Sequence, residues 1–287
     1  MSSLDTAPGV QYFRQTADID LTNQSWTPFE FGGVFDGNGK KISHVKIDLP
    51  NSNYVGFFSK LLSGGELKNV CLENVDVKGK SYVGGLVGEA SGSISNSYAL
   101  SSVTGISHIG GLVGYAYENI SNSYASGSVS GTADSSNIGG LVGYTNGSIF
   151  NSYASGSVSG YINVGGLAGF VFRNISNSYA SSFVSGSNNV GGLVGVAYYP
   201  SIISNSYASG SVSGSINNGG LVGYTHGKVS SSYYDRETTN QSDDKGKGIP
   251  RTTIEMKTGT PSGTIYTGWD STIWDFGTSS DYPTLRK

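Results

Sequence analysis

The octet NVGGLVGV at residues 189–196 decides the fold, because close copies of it recur along the chain at nearly even intervals. Its leucine returns in steps of 26, 29, 26, 26 and 28 residues. A phosphate-binding glycine loop is needed once, whereas a stack of similar units needs its glycines in every unit. The spacing therefore predicts a repeat architecture. The repeated pairs are Gly85 and Leu86, Gly111 and Leu112, Gly140 and Leu141, Gly166 and Leu167, Gly192 and Leu193, and Gly220 and Leu221.

A second phrase follows each octet and is clearest as ISNSYASGSVSG at residues 120–131. Both phrases consist of short alternating runs separated by Gly, Ser and Asn, and glycine at this density disfavours helix. Three short strands in about 26 residues are typical of one coil of a parallel β-solenoid, whereas a propeller blade has a period of about 40 residues. The sequence therefore predicts an all-β fold, a parallel, right-handed β-helix or solenoid of about eight coils with capping ends.

Stacked coils place equivalent residues above one another in columns. The leucines and aliphatic residues such as Val129 are expected inside, and the glycines are expected to let the wall turn or approach its neighbour. If Val129 points inward, the residues on either side of it point outward. The candidate binding face then has a serine column and a tyrosine column: Ser128, Ser130, Ser157, Ser159, Ser211 and Ser213, and Tyr98, Tyr124, Tyr153, Tyr179 and Tyr207. The tyrosines have a second interpretation, as a half-buried stack that only stabilises the solenoid.

The two ends of the chain differ from the repeats. Residues 1–50 are expected to form an N-terminal cap and the first coil, and residues 51–234 the repeats. Residues 235–287 are expected to form a C-terminal cap with a short helix near residues 252–257. This cap carries two tryptophans, Trp269 and Trp274, and we expect their bulk to seal the exposed edge of the last coil.

The composition argues against several classes of partner. The 287 residues have 13% charged side chains and a net charge of −3, which disfavours nucleic acid and anionic membranes as partners. No run approaches the ~18–20 apolar residues of a membrane span, so no membrane insertion is expected, and no signal-peptide pattern opens the chain. Cys71 has no second cysteine to pair with and is expected in the core. We expect the chain to be part of a larger protein.

Candidate chemistry is sparse. None of the three histidines has a partner at metal-ligand spacing, and the DGNGK turn at residues 36–40 offers too few ligands for Ca²⁺. Glu89 and Glu118 both lie just after a GGLVG run and are the acids that a polysaccharide-processing β-helix enzyme would pair. Acids in loops are more often solubilising charges. The sequence therefore predicts no enzyme, no metal and no cofactor. The histidines are His44, His108 and His226.

These residues resemble a known family. GGLVG followed by ISNSYASGSVSG is similar to the GLUG-motif repeat of bacterial surface proteins, among them large adhesins and the non-catalytic region of IgA-cleaving metallopeptidases. The lead-in ADIDLTNQSWTPF and the tail segments YYDRETT, TTIEMK and GWDSTIWDF are similar to segments that flank such repeats. The resemblance covers nearly the whole chain. It implies an exported bacterial β-solenoid, a stalk or an adhesive region, and it transfers no catalytic residue.

The expected function is that of a non-catalytic module at a bacterial cell surface or in the medium. It would bind a cell-surface carbohydrate or protein, or serve as a stalk. Two alternatives from other classes stay open. The Ser-x-Ser column resembles the hydroxyl ladders of ice-binding solenoids, although serine lacks a methyl group and Phe183 interrupts the column. A polysaccharide-processing β-helix enzyme is the second alternative.

Overall fold

The computed structural model describes residues 2–5, 11–242, 247–257, 265–278 and 280–286. The chain winds into a parallel β-solenoid of about nine coils, where about eight were expected. Each coil adds strands to three faces, here named A, B and C. Strands on one face pair in parallel with those of the neighbouring coil, as hydrogen-bonded ladders require at a spacing of about 4.8 Å.

Face A consists of short strands, and the first of them pairs antiparallel with the second. Its strands are Ser2–Asp5, Gln11–Arg14, Val34–Asp36, Glu66–Lys68, Ser93–Ser95, Ile120–Ser121, Ile149–Phe150, Ile175–Ser176, Ile202–Ser204 and Lys228–Ser230. Face C carries the residues that follow the Gly-Gly-Leu phrase. Its strands are Phe29–Phe31, Phe58–Leu61, Val87–Ala90, Val113–Ala116, Val142–Thr145, Ala168–Val171, Val194–Ala197 and Val222–Thr225.

Face B is the widest face, and in two coils it is crossed by one long strand. Its strands are Ile19–Asp20, Lys41–Ser43, Lys46–Asp48, Asn53–Val55, Cys71–Lys78, Ser81–Gly84, Tyr98–Gly110, Tyr124–Gly139, Tyr153–Ser159, Ile162–Gly165, Tyr179–Ala180, Phe183–Ser185, Asn188–Gly191, Tyr207–Ala208, Val212–Ser213, Ile216–Gly219, Tyr233–Asp235 and Ile249–Arg251. Outside the three faces, Trp274–Asp275 and Thr284–Leu285 pair antiparallel. We call residues 265–278 and 280–286, which contain this pair of strands, the C-terminal hairpin.

The larger of two hydrophobic clusters among the described residues runs along the axis of the solenoid, from Phe31 to Tyr234. The octet leucines and the aliphatic columns are fully buried in it, as their stacking predicts. Val129 is buried between outward-pointing neighbours, which confirms the inside–outside alternation on face B. Cys71 is buried, but it lies in register with the outward residues Lys41 and Tyr98 and outside the core, where it was expected. Burial of one apolar column per strand stabilises each coil mainly through its nearest neighbours.

The Gly-Gly-Leu phrase forms a corner and not the continuous strand that VGGLVG suggests. Gly85 and Leu86 lie between strand Ser81–Gly84 on face B and strand Val87–Ala90 on face C. At this corner the backbones of successive coils approach closely. A Cβ atom added to Gly140 would lie 2.1 Å from the carbonyl oxygen of Gly166 on the next coil. The glycine column is therefore required by contact between coils.

The Asn-Ser-Tyr phrase forms the corner between faces A and B. Its asparagine adopts the left-handed conformation that asparagine tolerates well, with φ 47° at Asn122. The next serine turns inward: Ser123 Oγ donates to the carbonyl of Ser121 at 2.7 Å and accepts the backbone N–H of Ser97 at 3.1 Å. These bonds satisfy polar groups that the corner buries. The buried serines of this corner are Ser97, Ser123, Ser152, Ser178, Ser206 and Ser232.

The last coil is closed differently from the expectation. Tyr234 continues the inward alanine column, fills the end of the core, and is covered by the strand Ile249–Arg251. The two tryptophans expected to seal this edge instead pack on the outer side of face B. Trp274 lies 6.0 Å from Tyr207 and Trp269 5.9 Å from Tyr233, between ring centroids.

Two short helices follow the last coil, Arg236–Thr239 and Thr253–Lys257. The second of them lies where the sequence predicts a helix. Asp235 caps the first helix through the backbone N–H of Glu237, and its other oxygen accepts a bond from Tyr282 of the C-terminal hairpin. Neither of the described helices is long and apolar enough to cross a membrane.

Candidate functional site

The tyrosine column on face B is an outward-pointing stack of parallel rings. Ring centroids are 4.7 Å apart from Tyr98 to Tyr124 and from Tyr124 to Tyr153, and 4.8 Å apart from Tyr153 to Tyr179. The interplanar angles are 10°, 6° and 1°. Because each ring covers the face of the next, a ligand meets ring edges and phenol hydroxyls here and not open ring faces.

The C-terminal hairpin covers one end of this column. Tyr207 is 2% exposed, and its hydroxyl donates to the carbonyl of Pro283 at 2.7 Å. Burial raises the pKa of Tyr207 well above its usual range. The predicted binding face therefore loses Tyr207, because 76 residues further along the chain the hairpin returns to lie on it.

Next to the hairpin, the uncovered part of the column forms the floor of a groove of about 730 Å³, here called the tyrosine groove. Asparagines of the Asn-Ser-Tyr corners flank its floor, and the hairpin forms its end wall. It is lined by Asn96, Tyr98, Asn122, Ser123, Tyr124, Asn151, Tyr153, Tyr179, Thr272, Ile273, Thr284, Leu285 and Arg286. Hydroxyl and amide groups spaced by one coil are thus exposed beside apolar side chains, a combination that suits a ligand with many hydroxyl or amide groups.

A charged pair lies beside Tyr98, at the far end of the groove. The Tyr98 hydroxyl donates a hydrogen bond to Glu73 Oε1 at 2.8 Å, and Lys41 Nζ lies 3.0 Å from the same oxygen. The bond from Lys41, followed by the bond from Tyr98, holds the pKa of Glu73 below its usual value. Burial, reinforced by the bond to Glu73, raises the pKa of Tyr98. The Tyr98 hydroxyl is therefore already hydrogen-bonded within the protein.

The phenols in the middle of the groove are free to bind. Among the residues that the structure describes, none receives a hydrogen bond from, or donates one to, the hydroxyl of Tyr124 or Tyr153. Burial raises the pKa of Tyr153 to about 12, so this hydroxyl keeps its proton at neutral pH. Beside them, Asn151 Nδ2 donates to Asn122 Oδ1 at 3.1 Å. The groove can therefore offer both donors and acceptors.

The serine column also lies on face B, with its members in the predicted register. Ser128, Ser157, Ser211 and Ser213 are exposed, and Ser130 and Ser159 are half-buried. Several hydroxyls bond one another along the column: Ser128 donates to Ser102 at 3.3 Å and Ser159 to Ser130 at 3.2 Å. Phe183, 65% exposed, interrupts the column, and beyond it the strands are short. The column is thus less regular than its sequence suggests.

Two outward surfaces were not anticipated from the sequence. On face B a second column consists of residues whose backbone is in the left-handed conformation. Their side-chain amides form a ladder, in which Asn163 donates a hydrogen bond to Asn137 and Asn189 donates one to Asn163, both at 2.8 Å. The ladder continues upstream as stacked rings of His108 and Tyr82, 4.8 Å apart. The available signal was an asparagine four residues before the octet leucine in four of the six copies.

The second unanticipated surface is an aromatic column on face C. Tyr115, Tyr144 and Phe170 stack at 4.7 Å and 4.9 Å, and Tyr117 and Phe172 pack beside them. The signal was an aromatic residue three positions after the octet leucine, in VGYA, VGYT and AGFV. These rings form a surface patch without a described cavity, so the tyrosine groove remains the better candidate site.

The remaining candidates do not assemble into a site. Asp36 of the DGNGK turn accepts bonds from Tyr12 at 2.7 Å and Asn69 at 2.9 Å, so its oxygens already have protein donors. Glu89 is in register with Tyr115 on face C, whereas Glu118 lies in the following turn. Within the described residues, no group of three or more His, Cys, Asp or Glu side chains could hold a metal ion.

Four of the repeats match a known family model. The model described as the GLUG motif matches residues 79–104, 105–130, 134–159 and 186–213. Each match contains one Gly-Gly-Leu corner and part of face B. The resemblance inferred from the repeated phrases is thus confirmed, and the chain carries GLUG-motif repeats.

Two known proteins are similar to this chain. Over 110 residues it is 36% identical to halomucin from Haloquadratum walsbyi; the match covers 32% of this chain and 1% of halomucin. A crystal structure from Bacteroides ovatus, provisionally described as an immunoglobulin A1 protease, has a TM-score of 0.61 and 24% identity. That match covers 96% of this chain and 85% of the other, and at this identity it supports the fold alone.

Proposed function

We propose that this chain, whose coils carry GLUG motifs, is a non-catalytic module of an exported or cell-surface protein that binds a carbohydrate or protein ligand in the tyrosine groove. The observation that carries the proposal is the groove itself. Along most of face B the outward polar groups bond one another, but Tyr124 and Tyr153 leave their hydroxyls free above a floor of stacked rings.

The similarity to halomucin supports the proposal that this module acts outside the cell. Halomucin bears a mucin-like name, which fits a repeat module that acts outside the cell, although the shared part is a small fraction of that protein. The low share of charged residues, 13%, leaves long neutral walls that suit contact with neutral or weakly charged surfaces. Adhesion through many such modules would gain avidity without a strong single site.

The groove chemistry favours ligands that are rich in hydroxyl or amide groups. Asn122 can donate and accept at once, and the phenols of Tyr124 and Tyr153 can do the same. Coil-to-coil spacing repeats these groups every 4.7 to 4.8 Å, so an extended ligand can meet one set per coil. Because the floor is a solenoid wall held by parallel ladders, these groups are preorganised and little entropy is lost on binding.

The test uses the full chain on a glycan array and against host-surface proteins, followed by titration of any hit. Tyr124→Phe removes one free hydroxyl, and Asn122→Gly removes one amide while keeping a residue that tolerates φ 47°. Both should weaken binding by about three- to tenfold, the value of one hydrogen bond of about 1 kcal/mol. Tyr144→Phe on face C is the matched control and should bind as the wild type does.

A result in which no glycan or protein binds would leave a stalk as the function. Thermal hysteresis that Ser128→Tyr abolishes would instead favour ice binding, for which the interrupted and internally bonded serine column is a poor match. Turnover of a polysaccharide that Glu89→Gln or Glu118→Gln abolishes would overturn the non-catalytic proposal.

A further inference from the structure

The tyrosine groove has one charged wall residue, and it is an arginine. Of the described residues that line the groove, all but Arg286 are neutral. Arg286 stands on the C-terminal hairpin, at the end of the groove away from Glu73. A neutral ligand would need no cation there, so this guanidinium is the feature that remains to be explained.

The guanidinium is held in place by one nitrogen and leaves the others available. Arg286 Nε donates to the carbonyls of Ser271 at 2.9 Å and Trp274 at 3.2 Å, which fixes the side chain on the hairpin. Its terminal nitrogens donate no hydrogen bond to any residue in the described part of the chain. Asp275 lies 4.0 Å away, and both side chains are about half exposed, so this ion pair is weak.

From these contacts we infer that the tyrosine groove takes a glycan carrying an anionic group, a carboxylate or a sulfate, and that Arg286 binds this group; the inference rests on the proposed function. A planar guanidinium with free terminal N–H groups matches the two oxygens of such an anion. The neutral part of the glycan would then lie over Tyr153 and Tyr124 and extend toward the coil that contains Tyr98.

The two ends of the groove set the direction of the ligand. Beyond the Tyr98 end, Lys41 is already paired with the Glu73 carboxylate, which also accepts the Tyr98 hydroxyl, so the protein offers no unpaired cation there. The hairpin end offers Arg286. A glycan is favoured over a peptide because the floor repeats hydroxyl and amide groups in register from coil to coil, with ring edges between them and no open ring face.

The test titrates the full chain, by calorimetry at low salt, with three saccharide probes of equal length. They are a neutral malto-oligosaccharide, an oligogalacturonate that bears carboxylates, and a chondroitin sulfate oligomer. We expect at least one anionic probe to bind about tenfold more tightly than the neutral one, as a charge-assisted hydrogen bond implies. Which anionic probe binds distinguishes carboxylate from sulfate. Added salt should erase the preference.

Arg286→Gln should abolish the anionic preference, because it removes the charge and keeps a donor for the hairpin carbonyls. Arg173→Gln, in the exposed turn between faces C and A, is the matched control and should keep the preference. An unchanged melting temperature and an unchanged affinity for the neutral probe would show that Arg286→Gln is folded. If the variant melts lower, Arg286→Lys, which restores the charge, should recover the preference.

Three outcomes overturn the inference. If neutral and anionic probes bind equally, or if Arg286→Gln leaves the preference intact, the inference fails while the proposed ligand-binding function stands. If no saccharide binds but a protein ligand does, and Tyr124→Phe weakens that binding, the glycan class is wrong and the proposed function again stands. If nothing binds, both fail together.

Discussion

The Tyr207 hydroxyl donates a 2.7 Å hydrogen bond to the carbonyl of Pro283, which joins the tyrosine column of the solenoid to a segment 76 residues further along the chain. This contact does two things. It fixes the C-terminal hairpin on face B, and it thereby determines where the column is covered and where the tyrosine groove opens. The hairpin is both a cover for the last coils and one wall of the site.

Tyr207→Phe should destabilise the hairpin without altering the solenoid. The substitution keeps the ring stacked at 5.0 Å on Tyr179 but leaves the buried carbonyl of Pro283 without its donor. An unsatisfied buried acceptor costs about 1–3 kcal/mol. Because two of the three tryptophans lie on this cover, their fluorescence should change at lower urea concentration than the far-ultraviolet circular dichroism.

Tyr144→Phe is the matched control for this prediction, since its hydroxyl on face C donates no hydrogen bond to a described residue. Its urea transition should stay within about 0.5 kcal/mol of the wild type. Coincident fluorescence and dichroism transitions in Tyr207→Phe would contradict the view of the hairpin as a separately detachable cover.

Gly140→Ala should destabilise the solenoid strongly. The added methyl group would lie 2.1 Å from the Gly166 carbonyl oxygen, a backbone atom that cannot move without distorting the next coil. We expect a loss of about 1–3 kcal/mol or more in the free energy of unfolding, measured by urea denaturation. At Gly32 the nearest atom to an added methyl is Leu62 Cδ1 at 3.4 Å, so Gly32→Ala should be nearly neutral. Equal losses for both variants would argue against the corner explanation.

Asn163 tests the amide ladder and its left-handed backbone separately. Asn163→Gly removes the bonds to Asn137 and Asn189 but tolerates φ 57°, whereas Asn163→Ala also strains the backbone. The alanine variant should therefore be less stable than the glycine variant by about 1–2 kcal/mol, the cost of placing an ordinary residue in the left-handed region. Melting curves of the two variants measure this difference directly, and identical curves would remove the conformational argument.

Asp36 should make the N-terminal coils sensitive to acid. Burial raises the pKa of Asp36, but hydrogen bonds from Asn69, Tyr12 and the backbone of Asn38 outweigh it, and the pKa ends below its usual value. A lowered carboxylate pKa contributes stability that is present above the unfolded-state value of about 3.9 and is lost as the pH falls through the folded-state value. Urea denaturation between pH 6 and pH 2 should show this loss.

Asp36→Asn removes the titrating group and should reduce the pH dependence over the same interval, while lowering stability at pH 6. An unchanged slope in this variant would mean that other carboxylates account for the acid sensitivity.

Much of the fold could be predicted because the repeat makes position in the sequence equivalent to position in the coil. Val129 and the octet leucines could be assigned to the interior from alternation and periodicity alone. The glycines indicated a turn or a close approach, but the sequence could not show that both occur at one corner, where Gly140 meets Gly166 of the next coil. Similarly, the left-handed conformation of Asn122 leaves no mark on hydrophobic patterning.

The candidate site was predicted only in part, for a different reason. The tyrosine column follows from the repeat, but the segment that covers Tyr207 and creates the groove lies outside the repeats. No periodicity relates Trp274 or Arg286 to the coils, and their positions depend on tertiary packing across the solenoid. The aromatic residues of face C, such as Tyr144, carried a periodic signal and could have been found.

Hydroxyl-radical footprinting of the full chain, with and without the glycan or protein hit that binds most tightly, tests directly whether the tyrosine groove is the binding site. Tyrosine oxidation reports exposure residue by residue on faces B and C in one experiment. We expect the ligand to protect Tyr124 and Tyr153 and to leave Tyr117 and Tyr144 unchanged. Protection of the face C tyrosines with none at Tyr124 and Tyr153 would contradict this expectation.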